Sequence, residues 1–113
     1  RRERGMATAE FAVALPAVAL VLMVAMTAIA SGIDQIRCVD AARLAARAVA
    51  RGDSQSTAAV LARGAAPLGA SVSLTMGADL ATATVSVARR APVVGLSWVV
   101  RASAVAPREA LPP

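Results

Sequence analysis

Hydrophobic residues divide the chain into one uninterrupted apolar run and a second part in which apolar and polar positions alternate. No charged residue occurs from Phe11 to Ile33, and this run is interrupted only by Pro16, Thr27, Ser31 and Gly32. A helix with a rise of about 1.5 Å per residue would make the run about 34 Å long, against about 30 Å for the hydrocarbon core of a bilayer. The pattern predicts a transmembrane segment at residues 11–33.

The helical pattern continues after the apolar run. Apolar residues recur at steps of three and four and predict one helix face, formed by Ile36, Val39, Ala42, Ala46 and Val49. Charged residues occupy another face, at Asp40, Arg43, Arg47 and Arg51. Gly52 is a natural residue to follow a helix C-terminus. We therefore expect one long helix within residues 6–52, after a basic leader at residues 1–5.

Residues 53–106 predict a small domain that begins with a short helix. Asp53 or Ser54 can cap its N-terminus, and Gly64 and Pro67 predict that it stops after Arg63.

Three strands are then expected. Alternation predicts strands around Val72–Met76 and Ala83–Val87, joined in a hairpin by the turn residues Gly77, Ala78 and Asp79. A loop that contains Arg89, Arg90, Pro92 and Gly95 would lead to a third strand from Trp98 to about Ala106. The expected fold class is α+β, a long helix followed by a short helix and a three-stranded antiparallel sheet. Residues 107–113 are expected to form a flexible tail.

Composition argues against an enzyme. The chain has no His and one Cys, so it lacks the commonest general base and the ligand clusters of metal sites. One Trp and one Phe offer no surface for stacking bases. We therefore expect no cofactor, no metal, no small-molecule substrate and no nucleic-acid partner, although the formal charge is +5.

Two local features allow more than one interpretation. The stripe Arg43, Arg47 and Arg51 fits either an anionic partner or a solvated helix face, and we favour the solvated face. Cys38 fits either a reactive or disulfide-forming thiol or a small apolar residue in an alanine-rich helix, and we favour the apolar residue.

A cleaved secretory signal competes with a permanent anchor. Arg1, Arg2 and Arg4 precede the run, and Ala28-Ile29-Ala30 fits a small-x-small cleavage site. The run is nevertheless longer than a usual signal core of about 7–15 residues. Arginines flank both ends in similar number, so charge leaves the orientation open.

The residues at the start of the run resemble a known processing site. Gly5 lies five residues before Glu10-Phe11, and Gly-x-x-x-x-Glu-Phe is similar to the site at which prepilin peptidase cuts type IV pilin-like proteins. Together with E-F-A-V-A-L-P from Glu10 and A-A-R-L-A-A-R from Ala41, it resembles the TadE-like minor pilins of the Tad (Flp) tight-adherence system.

The resemblance implies a function and an orientation. The peptidase would cut after Gly5, Met6 would become the new N-terminus, and Glu10 and Phe11 would take part in assembly with other pilin subunits and the pilus machinery. The leader would be cytoplasmic, and the C-terminal domain would lie outside the plasma membrane. The alternative is a secreted or single-pass envelope protein with a small ligand-binding domain and no role in a pilus.

Overall fold

The expected α+β fold class is confirmed in a computed structural model of the protein, which describes residues 2–92 and 95–108. In chain order the elements are helix α1 (Arg2–Ala50), helix α2 (Gln55–Ala65), and strands β1 (Ser71–Met76), β2 (Leu80–Arg90) and β3 (Ser97–Pro107). The chain forms two compact units, unit 1 at Arg1–Ala30 and unit 2 at Ser31–Pro113, and α1 contributes to both.

Helix α1 begins earlier than expected. It starts at Arg2, inside the basic leader, rather than at Met6. Arginine and glutamate are good helix formers, and the carboxylate of Glu3 in the first turn interacts favourably with the positive end of the helix dipole. The leader therefore has no local signal that would prevent helix formation.

The C-terminus of α1 is stabilised by a Schellman motif around Gly52. The Gly52 N–H donates to the Val49 carbonyl and the Asp53 N–H donates to the Ala48 carbonyl, both at 3.0 Å. Gly52 has φ of 101°, a left-handed conformation that costs glycine little because it has no Cβ. The prediction that the helix ends at this glycine is confirmed.

In unit 1, α1 exposes its apolar side chains on all sides. Phe11, Val13, Val21 and Val24 each expose more than half of their surface, and the most apolar stretch of α1 has no buried residue. Among the described residues, α1 is the helix long and apolar enough to cross a membrane. The core helix of a soluble protein would instead be covered by its own chain.

Helix α2 begins as predicted but ends later. Ser54 is its N-cap, and the Ser54 hydroxyl accepts a hydrogen bond of 3.2 Å from the Thr57 N–H. The helix continues through Gly64 to Ala65, so the expected end at Arg63 is wrong. Ala66, the residue before Pro67, is extended with ψ of 160°, because a proline ring disfavours the α conformation in the residue before it.

The three strands form one antiparallel sheet in the order β1-β2-β3. The predicted β1–β2 hairpin is confirmed, and its turn is closed by a 2.8 Å hydrogen bond from the Gly77 N–H to the Leu80 carbonyl. A Cβ at Gly77 would lie 3.2 Å from the Leu80 oxygen, so glycine suits this close approach.

Strands β2 and β3 are longer than predicted. Arg89 and Arg90 belong to β2, where they pair with Trp98 and Ser97, so their expected place in a loop is wrong. Pro107, the first residue of the expected tail, pairs with Leu80 as the last residue of β3. Residues 109–113 of the tail lie outside the described part of the chain.

Alanines form most of the contact between α1 and the sheet. The largest cluster of buried residues joins α1, α2 and the inner face of β2 and β3; its members are Cys38, Ala41, Ala42, Ala45, Ala46, Ala50, Ala62, Ala83, Val85, Val87, Val100, Ala102 and Ala106. Such small side chains allow a helix backbone to approach a sheet closely, and the interior gains dispersion energy from that close packing.

The predicted apolar face of α1 is partly wrong. Ala42, Ala46 and Val49 are buried as expected, but Ile36 is 63% exposed. The buried face instead continues towards the N-terminus through Cys38 and Asp34. The alanine face of α1 therefore packs against the sheet, which accommodates these small side chains, and the larger side chain of Ile36 stays exposed.

An enlarged side chain at Ala45 should destabilise unit 2. We expect Ala45→Leu to lower the free energy of unfolding by about 1–3 kcal/mol, because three extra carbons would force α1 away from the sheet. Arg47→Leu, on the exposed face of the same turn, should change it by less than about 0.5 kcal/mol. Urea unfolding of the full chain in detergent, followed by Trp98 fluorescence, measures both, and equal stabilities of the two variants would contradict the packing argument.

Candidate functional site

The predicted processing residues lie together in the first turns of α1. Gly5 and Met6 are exposed and helical, and a Cβ built at Gly5 would meet no other atom within 4 Å. Nothing within unit 1 therefore requires glycine at this position.

The predicted assembly residues Glu10 and Phe11 are also exposed, about one helical turn further along. Among the described residues, no arginine nitrogen lies within 4.0 Å of the Glu10 carboxylate. Glu10 lines a shallow depression on the helix surface whose other walls are apolar and mostly small, namely Ala9, Val13, Ala14 and Ala17. The structure thus brings a carboxylate without an internal partner together with a surface that a second helix can approach closely.

The hydroxyl group inside the apolar run is satisfied by its own helix. Thr27 Oγ1 donates to the Met23 carbonyl at 2.8 Å, four residues earlier. Such a bond removes the need for water, which is absent from a hydrocarbon environment.

Unit 2 contains a side-chain pair that the sequence analysis did not identify, Asp34 with Arg89. Arg89 Nε donates to Asp34 Oδ2 at 2.8 Å, and an Arg89 terminal nitrogen donates to Asp34 Oδ1 at 3.1 Å. The two parallel bonds form a bidentate pair, the geometry in which arginine binds a carboxylate most specifically. Asp34 is only 9% exposed. The pair joins α1 to β2 at the edge of the buried core.

The electrostatics of this pair favour its ionised form. The hydrogen bond from Arg89 lowers the pKa of the Asp34 carboxyl and outweighs the opposing effect of burial, with a further contribution from the charges of Arg89 and Arg37. The same hydrogen bond raises the pKa of Arg89.

Cys38, one helical turn after Asp34, is a fully buried free thiol. Burial raises its pKa, and the nearby charge of Asp34 acts in the same direction. The interpretation of Cys38 as a small apolar core residue is confirmed. A reactive thiol or an intermolecular disulfide at this position would need a side chain that solvent can reach.

Two sequence signals could have identified the ion pair. Extending the alternation of inward residues in β2 beyond Val87 places Arg89 on the inner face of the sheet. On α1, Asp34 lies four residues before Cys38 on the buried face. A carboxylate on an apolar helix face needs a cation, and an inward-pointing arginine can provide it.

Trp98 lies directly opposite Arg89 on β3 and packs against the core cluster. Its indole N–H is buried, and no described residue accepts a hydrogen bond from it. Among the described residues, no group of three His, Cys, Asp or Glu side chains is arranged to hold a metal ion.

Comparison with known proteins gives one partial similarity. Over 77 residues, which are 68% of the chain, the sequence is 40% identical to a protein of Mycobacterium tuberculosis named Apoptosis inhibitor Rv3655c. The matched region spans 61% of that relative's length. No protein-family model matches the chain, and no solved structure matches it.

The Asp34–Arg89 pair should make the stability of unit 2 dependent on pH. Because the pKa of Asp34 is lowered on folding, its contribution is complete above the ordinary carboxyl pKa of about 4 and is lost as pH falls through the lower folded value. At neutral pH, Asp34→Asn should lower the free energy of unfolding by about 1.5–3 kcal/mol, the range for hydrogen bonds to charged groups.

Urea titrations followed by Trp98 fluorescence, at neutral pH and near the acid limit of stability, measure this dependence. The difference between wild type and Asp34→Asn should shrink at acidic pH. Asp53→Asn is the control, because Asp53 makes an exposed 3.5 Å contact with Arg51 and should matter little at either pH. A difference between wild type and Asp34→Asn that is the same at both pH values would refute the assignment.

Proposed function

We propose that the chain is a membrane-anchored minor pilin that resembles the TadE-like subunits of Tad-type pili. The observation that supports this most directly is Glu10, which lies at the start of the exposed apolar run, five residues after Gly5, and whose carboxylate has no cationic partner among the described residues. A charge at that place is costly in lipid and therefore indicates a function by default.

Processing would supply the missing partner for Glu10. Hydrolysis of the peptide bond after Gly5 would release the basic leader and leave an ammonium group on Met6. In a bundle of pilin helices, the Glu10 carboxylate of one subunit can neutralise the ammonium group of its neighbour. Because an unpaired charge among apolar helices is strongly unfavourable, this pairing would fix the position of one subunit against the next.

The surface beside Glu10 supports close helix packing. Ala9, Ala14 and Ala17 border the depression that contains Glu10. In a membrane, helices associate through small residues because their backbones can then approach closely and gain dispersion contacts. In this proposal the leader is cytoplasmic, α1 crosses the plasma membrane once, and unit 2 is displayed outside. The partners are prepilin peptidase, other pilin subunits and the assembly machinery.

A secreted protein is the second candidate. The boundary between the two compact units, Ala30 to Ser31, coincides with the end of the Ala28-Ile29-Ala30 motif. Cleavage there would release unit 2 with both Asp34 and Arg89, so the ion pair would persist. Such a product would be a secreted protein whose small domain binds a ligand and has no role in a pilus.

The mass of the native protein separates the two functions. We expect a mature chain that begins at Met6, because the peptidase would cut after Gly5. A chain that begins at Ser31 would support the secreted protein, and one that retains residues before Met6 would exclude processing at this site. Intact-mass spectrometry of protein isolated from its own cells is the measurement, with Gly5→Val as the control that should block cleavage.

Substitution of Glu10 tests assembly separately from processing. We expect Glu10→Ala to be cleaved largely as wild type but to be depleted from sheared filaments, since its helix cannot neutralise the neighbouring ammonium group. Glu10→Gln keeps the side-chain shape without the charge and should show the same defect. Glu3→Ala, in the leader that is removed, is the matched control. Normal incorporation of both Glu10 variants, measured by quantitative immunoblotting, would contradict the pairing.

A further inference from the structure

Three arginines with the same spacing form an exposed stripe on the α1 side of unit 2, here called the arginine stripe. Arg43, Arg47 and Arg51 are each exposed and follow one another at four-residue steps, so successive members lie about 6 Å apart along the helix axis. Arg51 follows the last residue of α1, but its N–H still donates to the Arg47 carbonyl at 3.0 Å, so the helical spacing continues. The buried alanines of the same turns pack against the sheet. The arginine stripe therefore belongs to a part of unit 2 whose other face is packed.

Little negative charge offsets the arginine stripe. Among the described residues, no carboxylate oxygen lies within 4.0 Å of a guanidinium nitrogen of Arg43 or Arg47. Arg51 has an exposed contact of 3.5 Å with Asp53. Asp40 is exposed about one turn before Arg43, and no arginine nitrogen of the described chain lies within 4.0 Å of its carboxylate. Like charges at four-residue steps destabilise a helix, whereas a solvated face more often alternates charges of opposite sign. The exposure fits the solvated face expected from the sequence, but the repeated positive charge favours an anionic partner.

The other arginines of unit 2 do not form such a series. Arg89 is bound by Asp34. Arg101 is exposed between the buried residues Val100 and Ala102, so it lies on the outer face of the sheet, away from α1. The arginine stripe is thus distinguished from the rest of unit 2 by one charge that repeats at successive helical turns.

Unit 2 has no exposed aromatic ring that could extend the stripe. Trp98 is the one aromatic residue within residues 31–113, and it packs against the core. Nucleic-acid bases bind proteins largely by stacking on aromatic side chains, and sugar rings pack on such surfaces too. A guanidinium group, by contrast, binds the oxygens of a phosphate through two parallel hydrogen bonds and needs no ring. The stripe therefore favours phosphate groups carried on a chain without rings.

We propose that the arginine stripe binds a linear phosphodiester polymer of acyclic polyols, laid along α1. An extended chain can present one phosphate to each guanidinium group, and every contact adds affinity by releasing a counterion. The stripe lies wholly within unit 2, so the same binding is expected of an anchored subunit and of a secreted domain. In the anchored subunit, it would attach unit 2 to an anionic polymer of the cell surface.

Fluorescence anisotropy of fluorescein-labelled poly(glycerol phosphate), titrated with the full chain in a neutral detergent, tests the proposal. We expect saturable binding that weakens as salt is added. Each phosphate contact contributes about 0.7 to the salt dependence of single-stranded nucleic acid, so three contacts should raise log Kd against log salt concentration with a slope of about 2. Binding that is absent at low salt, or that does not depend on salt, would overturn the proposal.

Charge-matched variants locate the binding. Replacing all three arginines of the stripe with glutamine, which has a similar helix propensity, should weaken binding by about tenfold or more. Arg63→Gln with Arg90→Gln and Arg101→Gln removes the same net charge from exposed positions elsewhere in unit 2. This control should change Kd by less than about twofold, because physiological salt screens charges beyond about 8 Å. Urea unfolding checks that both variants are folded, and equal losses of binding in the two would overturn the assignment to the stripe.

Asp40→Asn tests the site in the opposite direction. Removal of this carboxylate beside the stripe should tighten binding by about twofold or more, a gain that damage to the fold would not produce. Asp79→Asn, at the exposed turn between β1 and β2, is the control and should leave Kd unchanged. Unchanged or weaker binding by Asp40→Asn would overturn the location of the site.

Competition identifies the polymer. Unlabelled poly(glycerol phosphate), polygalacturonate, single-stranded DNA and phosphatidylglycerol vesicles are compared at equal concentrations of negative charge. We expect poly(glycerol phosphate) to displace the probe more efficiently than polygalacturonate or the vesicles, and at least as efficiently as DNA, because the bases find no stacking partner. More efficient displacement by DNA would assign the stripe to nucleic acid, and by the vesicles to lipid. Displacement by polygalacturonate that is equally efficient would leave no role for phosphate, and each of these three results would overturn the proposal.

Discussion

Between residues 41 and 50, α1 contributes six alanines, and all six are buried. Their methyl groups pack against a sheet whose inner face is also built from alanine and valine. The fit between these shallow surfaces aligns α1 with β2, so Ala48 and Val49 lie near Ala81 while Asp34 meets Arg89. The ion pair and the burial of Cys38 both follow from this alignment.

Local chemistry was sufficient to predict most of the elements. The uncharged run, the Ser54 cap, Gly52 and the alternation around Gly77 each specify backbone structure within a few residues. The predictions were wrong where contacts between residues far apart in the sequence determine the structure. Arg89 was expected in the loop that contains Pro92 and Gly95, but it lies inside β2, where the Asp34 carboxylate from α1 binds it. Ile36 was expected in the core, but the sheet accepts the alanine face of the helix and leaves Ile36 exposed.

The two units differ in how far each covers its apolar side chains and pairs its charges. Unit 2 encloses a core of small apolar side chains, and the buried carboxylate of Asp34 is bound by Arg89. Unit 1 leaves its aliphatic side chains uncovered, and no described residue provides a cation for Glu10. In the proposed function, lipid and the other helices of a pilin bundle would cover these side chains, and the ammonium group of a processed neighbour would pair with Glu10. In the secreted alternative, cleavage after Ala30 would remove unit 1 with its exposed apolar side chains and Glu10.

The central claim is the contact between Glu10 of one subunit and the new N-terminus of its neighbour. A membrane-permeant carbodiimide joins a carboxylate to an amine only where the two are already in contact. Applied to filaments assembled from mixed ¹⁴N- and ¹⁵N-labelled chains and followed by mass spectrometry, it should yield an amide between Glu10 and the Met6 amine of a different chain. Intact filaments in which Glu10 reacts with the reagent but forms no link between chains would contradict the account.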